Sequence, residues 1–180
     1  FTDDSCMTLA IAKALFLCKG DYSKLRQNTI SCMQELGRAY PNAGYGYNFY
    51  HNWLMSSNPK PYNSYGNGSA MRVSPVAWVA DSEEQLKELS LMVTDITHNH
   101  PEGIKGAEAI AMGIYLARQG KSKEEIREKL SVYYPILKNK YFTIKSLCGN
   151  YGYDFAGSWV TCQGSVPQAI IAFLESENFE

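Results

Sequence analysis

The sequence has no CxxC pair, no long apolar run, no basic excess and only three histidines. Each shortage narrows the possible functions. The five cysteines, Cys6, Cys18, Cys32, Cys148 and Cys162, are odd in number and unpaired in spacing. Reduced, buried thiols are therefore a simpler expectation than a zinc site or a disulfide framework. The most apolar stretch, Leu9 to Cys18, is shorter than the roughly 18 residues of a membrane span and is interrupted by Lys13. No secretory pattern opens the chain, so the expected setting is cytoplasmic, away from membranes. Lys and Arg total 17 against 18 Asp and Glu, a formal net charge of -1. General binding to nucleic acid or to a membrane surface is not expected from such a balance.

What is present is helical. Hydrophobic residues make up 45% and charged residues 19% of 180 positions. Those values suit one globular domain over residues 1–180. Met7, Ile11, Ala14, Leu15 and Cys18 share a helical face, with Gly20 as a stop. Leu25, Thr29, Cys32, Met33 and Leu36 predict a second helix ending near Gly37. Residues 41–68 are rich in Gly, Asn, Pro and Tyr and read as a long loop, the kind that carries function. Helices are predicted again over Ala70 to Ala80, after Asp81-Ser82-Glu83-Glu84, from Pro101 to Gly120, and after Ser122-Lys123-Glu124-Glu125, which has the form of a capping box. Tyr141 to Gly164 reads as irregular and aromatic, and Pro167 as the first turn of a last helix. No strand alternation is visible. The fold class is all-α.

Three segments carry chemistry. Thr2-Asp3-Asp4 opens a helix and offers a hydroxyl and two carboxylates, hard oxygen donors suited to Mg²⁺. The same residues also make an ordinary helix cap, and alone they cannot fill an octahedral shell. Ser64-Tyr65-Gly66-Asn67-Gly68 precedes Ser69-Ala70-Met71-Arg72. Such small residues before a helix leave backbone N–H groups free for an anion such as a diphosphate, although a plain Asn-Gly turn has the same composition. Thr97-His98-Asn99-His100-Pro101 joins two helices. Without a nearby Cys or third His it argues for polar contact with a ligand, or for a cap from His100, rather than for zinc. His51 stands alone in the aromatic loop and reads as structural.

Four segments in order, FTDDSCMT at 1–8, SYGNGSAMRVSP at 64–75, THNHPEGIKGA at 97–107 and CQGSVPQAIIAFLES at 162–176, resemble the ADP-ribosylglycohydrolase family, which includes the dinitrogenase-reductase-activating glycohydrolases. The resemblance implies packed helices, a two-magnesium centre and hydrolysis at the anomeric carbon of ADP-ribose attached to a protein side chain or a small-molecule conjugate. Arginine is the first expected linkage. Thr2, Asp3 and Asp4 match the family's metal ligands, with Asp4 as the carboxylate within this chain that would assist catalysis. Ser64, Tyr65, Gly66, Asn67 and Gly68 match the loop that cradles ADP-ribose, His98 matches a contacting histidine, and the stretch near Trp159 would lie close to the adenine.

The family pattern also has a Gly-Asp pair with an acidic flap residue ahead of this point, an acid that the resemblance makes a stronger catalytic candidate than Asp4, and an Asp-x-Asp-Thr/Ser segment after it. The domain is accordingly expected to be incomplete at both ends. Residues 1–180 alone are expected to hold metal weakly or not at all, and the whole protein to hold two ions. A non-catalytic ADP-ribose-binding module and a retired family member are the alternative readings.

Overall fold

The periodicity of Met7, Ile11, Ala14, Leu15 and Cys18 becomes helix α1, Asp3–Cys18, whose inward face buries all five. The computed structural model describes residues 1–139, 141, 143, 144 and 159–178. Helix α1 ends where Lys19 and Gly20 take positive φ angles of 48° and 91°. Glycine reaches that region without a Cβ penalty, which makes Gly20 an effective stop. Helix α2, Leu25–Ala39, buries Leu25, Thr29, Cys32 and Met33, and packs extensively on α1.

The segment 41–68 is not all loop, because Asn48–Leu54 forms a π-helical turn. Its Trp53 and Leu54 are fully buried, and Trp53 Nε1 donates to the Ile96 carbonyl at 2.8 Å. Helix α2 holds the turn from outside, with Gln34 and Arg38 donating to carbonyls of Trp53, Leu54 and Ser56.

The continuous helix expected from Ala70 to Ala80 is two short ones, α3, Gly68–Arg72, and α4, Val76–Val79. Pro75 lies between them and has no N–H to offer the Met71 carbonyl. That carbonyl accepts from Thr8 Oγ1 of α1 at 3.3 Å instead. Helix α5 is Glu83–Thr94, capped by Ser82, and α6 is Pro101–Arg118, capped by His100 Nδ1, which accepts from Glu102 N at 3.1 Å. Helix α7, Lys123–Leu130, has the capping box in full, with both reciprocal bonds between Ser122 and Glu125.

The last described helix, α8, Cys162–Glu175, starts earlier than expected because Thr161 caps it by accepting from Gly164 N. Pro167 therefore falls in its second turn rather than its first. The cost is one intrahelical bond, the one its missing N–H would give to the Gln163 carbonyl. Among the described residues the structure is helical, and β pairing is limited to an isolated antiparallel bridge between Gly66 and Thr161. Cys6, Cys18, Cys32 and Cys162 are free and buried, as expected. Cys148 and most of the irregular stretch from Tyr141 to Gly164 lie outside the described residues. No described helix is long and apolar enough to cross a membrane.

Helices α6 and α8 meet at Gly106, where an added Cβ would stand 2.5 Å from Cys162 Sγ and 2.6 Å from its Cβ. Both neighbours belong to a buried residue with nowhere to go. Gly106→Ala is therefore expected to destabilise the protein by about 1–3 kcal/mol in urea unfolding. An unchanged midpoint would show that the two helices are free to part.

Candidate active site

The helix start at Asp3 is fixed by its backbone N–H, which donates to the Ala43 carbonyl at 2.8 Å. This bond sets Asp3 beside the arc formed by Gly44, Gly46, Tyr47, Asn48 and Phe49. Together with Ser64, Gly66, Asn67 and Gly68 they line a cleft of about 520 Å³. Met7, Met71 and Val160 supply apolar wall, and Tyr62, Arg72 and His98 the remaining polar lining.

Two backbone bonds hold the 64–68 loop in place. Asn67 N donates to the Val160 carbonyl at 2.8 Å, and Cys162 N to the Tyr65 carbonyl at 2.9 Å. The Asn67 side chain adds bonds to the Trp159 carbonyl and to Ser165 Oγ, at 3.0 and 3.2 Å. Ser64 Oγ accepts from Gly66 N at 3.2 Å, a local turn that leaves the loop tight. Beneath the loop runs α6, and a Cβ at Gly103 would stand 2.8 Å from the Ser64 carbonyl. Only glycine permits that approach.

His98 follows α5 and is buried. Its Nδ1 lies 2.6 Å from Thr97 Oγ1, which accepts from Arg72 Nη2 at 2.7 Å. Burial, and secondarily the Arg72 charge, push the His98 imidazole down to about 2. It is neutral at any ordinary pH. Burial also lowers Arg72, to about 10, which leaves it charged at neutral pH. Asp3 is shifted the other way, its carboxyl raised first by burial and then by the neighbouring Asp4 charge.

The residues expected from sequence do not all converge. Asp3, Ser64, Gly66, Asn67, Gly68 and His98 line one cleft. Thr2 and Asp4 do not. They are exposed, and Thr2 Oγ1 donates to Asp4 Oδ2 at 3.1 Å instead of capping the helix. The Tyr65 ring is also outside, tilted against His100 with ring centroids 5.2 Å apart. Trp159 is largely exposed, and residues 145–158 beside it lie outside the described set. His51 packs between Tyr47 and Tyr50, at 4.5 and 5.0 Å, in keeping with a structural role.

The fit to a divalent cation is partial. No group of three or more His, Cys, Asp and Glu lies close enough to hold one among the described residues. Yet Asp3 and Asp4 are adjacent carboxylates, and a cation relieves the repulsion that raises Asp3. Thr2, Asp3 and Asp4 can give part of an oxygen shell, and the rest must come from water or other residues.

Sequence reasoning read 41–68 as a functional loop without singling out Tyr62 or the 44–49 arc, and it missed Arg72 and Thr97. Arg72 and Thr97 stood inside quoted motifs without being singled out. The available signal for Arg72 was a cation placed between Met71 and Val73, both apolar.

Folded His98 takes a proton only near pH 2, whereas an unfolded histidine does so at about 6.5. Between these limits the unfolded chain binds more protons, so stability falls as pH drops. In urea titrations, the advantage of the protein over His98→Gln should shrink by up to about 1.4 kcal/mol per pH unit below about 6.5. An advantage that is constant with pH would contradict a buried neutral imidazole.

The geometry can be set beside known proteins. The sequence profile of the family described as ADP-ribosylglycohydrolase matches residues 1–180. The chain is similar to ADP-ribosylhydrolase ARH3 of Mus musculus, 28% identical over 141 residues, or 69% of this chain and 36% of that protein. With the Gallus gallus protein of the same name it shares 27% over 144 residues, 72% of this chain and 38% of the relative. With the Homo sapiens protein the identity is 27%, covering 69% of this chain and 37% of the relative. The chain thus spans a little over a third of the length of these curated relatives. With the profile matching from end to end and three of the four sequence segments contributing to one cleft, the chain belongs to the ADP-ribosylglycohydrolase family.

Proposed function

We propose that this chain forms the ligand cleft and part of the metal site of a magnesium-dependent hydrolase. Its reaction is the removal of ADP-ribose from modified protein side chains or small-molecule conjugates, with arginine-linked protein the first substrate to test. The observation that supports this reading is the meeting of Asp3, the Ser64–Gly68 loop and His98 in one cleft.

The lining of that cleft is chemically mixed. Gly66 and Gly68 lack side chains beside His98. Gly66 N and Asn67 N already donate to Ser64 Oγ and the Val160 carbonyl rather than standing free. This part of the lining suits phosphate and ribose oxygens. The same lining includes Asp3, a carboxylate. Bound Mg²⁺ would orient ribose hydroxyls and lower the pKa of a water. The chain's own residues do the rest of the work available to them. The loop fixes the nucleotide and so places the anomeric carbon. Asp3 accepts hydrogen bonds from ribose hydroxyls or from the attacking water as positive charge develops on the sugar. Thr2 and Asp4, at the outer edge of the same helix start, complete the ligands this chain supplies. Asp4 would hold the metal there, and Asp3, which lines the cleft, takes the place nearest the substrate that sequence reasoning had given to Asp4.

Two outcomes test the proposal. With Mg²⁺, the whole protein that contains this chain should release free ADP-ribose from arginine-linked protein, and chelation should stop it. Asp3→Asn, which keeps the shape and removes the charge, should cut the rate by about 10²-fold or more. Failure to release ADP-ribose from arginine-linked, serine-linked and ester-linked substrates alike would overturn it. Tight ADP-ribose binding indifferent to Mg²⁺, without turnover, would establish a binding module instead.

A further inference from the structure

Arg72 is the only Lys or Arg that is buried among the described residues, and it takes part in none of the ion pairs found there. Its Nε is buried without a hydrogen-bond partner. What its guanidinium does have is the Val93 carbonyl, at 3.1 Å from Nη2, and Thr97 Oγ1, at 2.7 Å. An unpaired buried cation is costly, so its retention calls for a reason.

The Thr97 hydroxyl receives one bond from Arg72 and has one proton to give. Two acceptors compete for it, His98 Nδ1 at 2.6 Å and the Thr94 carbonyl at 3.4 Å. The shorter bond is far the stronger. A ring nitrogen that accepts carries no proton, so the neutral imidazole must carry its proton on Nε2. The opposite tautomer would strand the Thr97 proton on the 3.4 Å contact. An imidazolium would add a second positive charge next to Arg72 in a dry site. His98 Nε2 faces the cleft between two glycines, for a Cβ on Gly66 or Gly68 would stand 3.5 or 3.4 Å from it.

We infer that Arg72 and Thr97 are positioning residues that lock His98 as the Nε2–H tautomer, a neutral donor aimed at a ligand oxygen between Gly66 and Gly68. The guanidinium polarises the chain from behind, Arg72 to Thr97 to His98, so the donor suits an anionic oxygen best, such as a phosphate of a nucleoside diphosphate. His98 is thereby a binding group and not a general base. Only the identity of that oxygen rests on the ADP-ribose reading; the tautomer belongs to the ligand-free protein.

The test is ¹⁵N NMR of the full chain with labelled histidine, His98 being assigned by its loss in His98→Gln. The expected spectrum shows Nε2 protonated and Nδ1 bare, unchanged from about pH 5 to about pH 8. Thr97→Val removes the hydroxyl at nearly constant volume. It should yield mixed tautomers and weaken ADP-ribose binding about tenfold in calorimetry, and Thr97→Ser should restore both. An Nδ1–H ring, titration within that pH range, or a Thr97→Val protein with unchanged tautomer and affinity would overturn the inference. If the parent protein does not bind ADP-ribose, the functional proposal fails while the ligand-free spectra still decide this one. If Thr97→Val does not fold, the parent and Thr97→Ser spectra decide it.

Discussion

Helix α6 touches its most important neighbours at the places where it has no side chain. At Gly103 it runs under the Ser64 carbonyl, and at Gly106 against Cys162, both closer than a Cβ would allow. The first contact supports the cleft loop, and the second seats α8. Because Cys162 N and the Val160 carbonyl bond back to the 65–67 segment, both approaches bear on one piece of chain. Close packing of this kind has little freedom to relax. A loop that would otherwise be an Asn-Gly turn is thus held as a fixed wall.

The same wall sets the electrostatics. Burial keeps His98 uncharged, and the buried guanidinium of Arg72 is linked to it through Thr97. In the same cleft, Asp3 is partly buried beside Asp4, and both effects raise its carboxyl. The lining therefore combines donors and positive potential with a carboxylate that gains from a cation. A ligand that carries both a diphosphate and a reacting sugar, as the proposed function requires, matches that lining.

The all-α class and most helix positions were legible in the sequence, because apolar spacing and caps are local. Ser122 with Glu125, and His100 ahead of Pro101, are such cases, and both formed as expected. What the spacing hid was non-local. Pro75 split a helix whose pattern looked continuous, and α2 folded Asn48–Leu54 into a π turn within an apparent loop. The cleft was legible as segments but not as an object. Nothing in the composition of 64–68 says that it pairs with 160–162. Nor does adjacency in Thr2-Asp3-Asp4 say that only the middle residue faces inward. Arg72 and Thr97 escaped notice because a buried polar relay leaves no periodic trace.

The central claim is that this cleft holds ADP-ribose with its diphosphate at the glycines and its reacting ribose toward Asp3. A crystal structure of the full chain with ADP-ribose and Mg²⁺ tests it most directly. The account predicts phosphate oxygens over Gly66 and Gly68 within hydrogen-bond reach of His98 Nε2, and the terminal ribose on the Asp3 side. ADP-ribose bound elsewhere, or in the reverse direction with its adenosine toward Asp3, would contradict it.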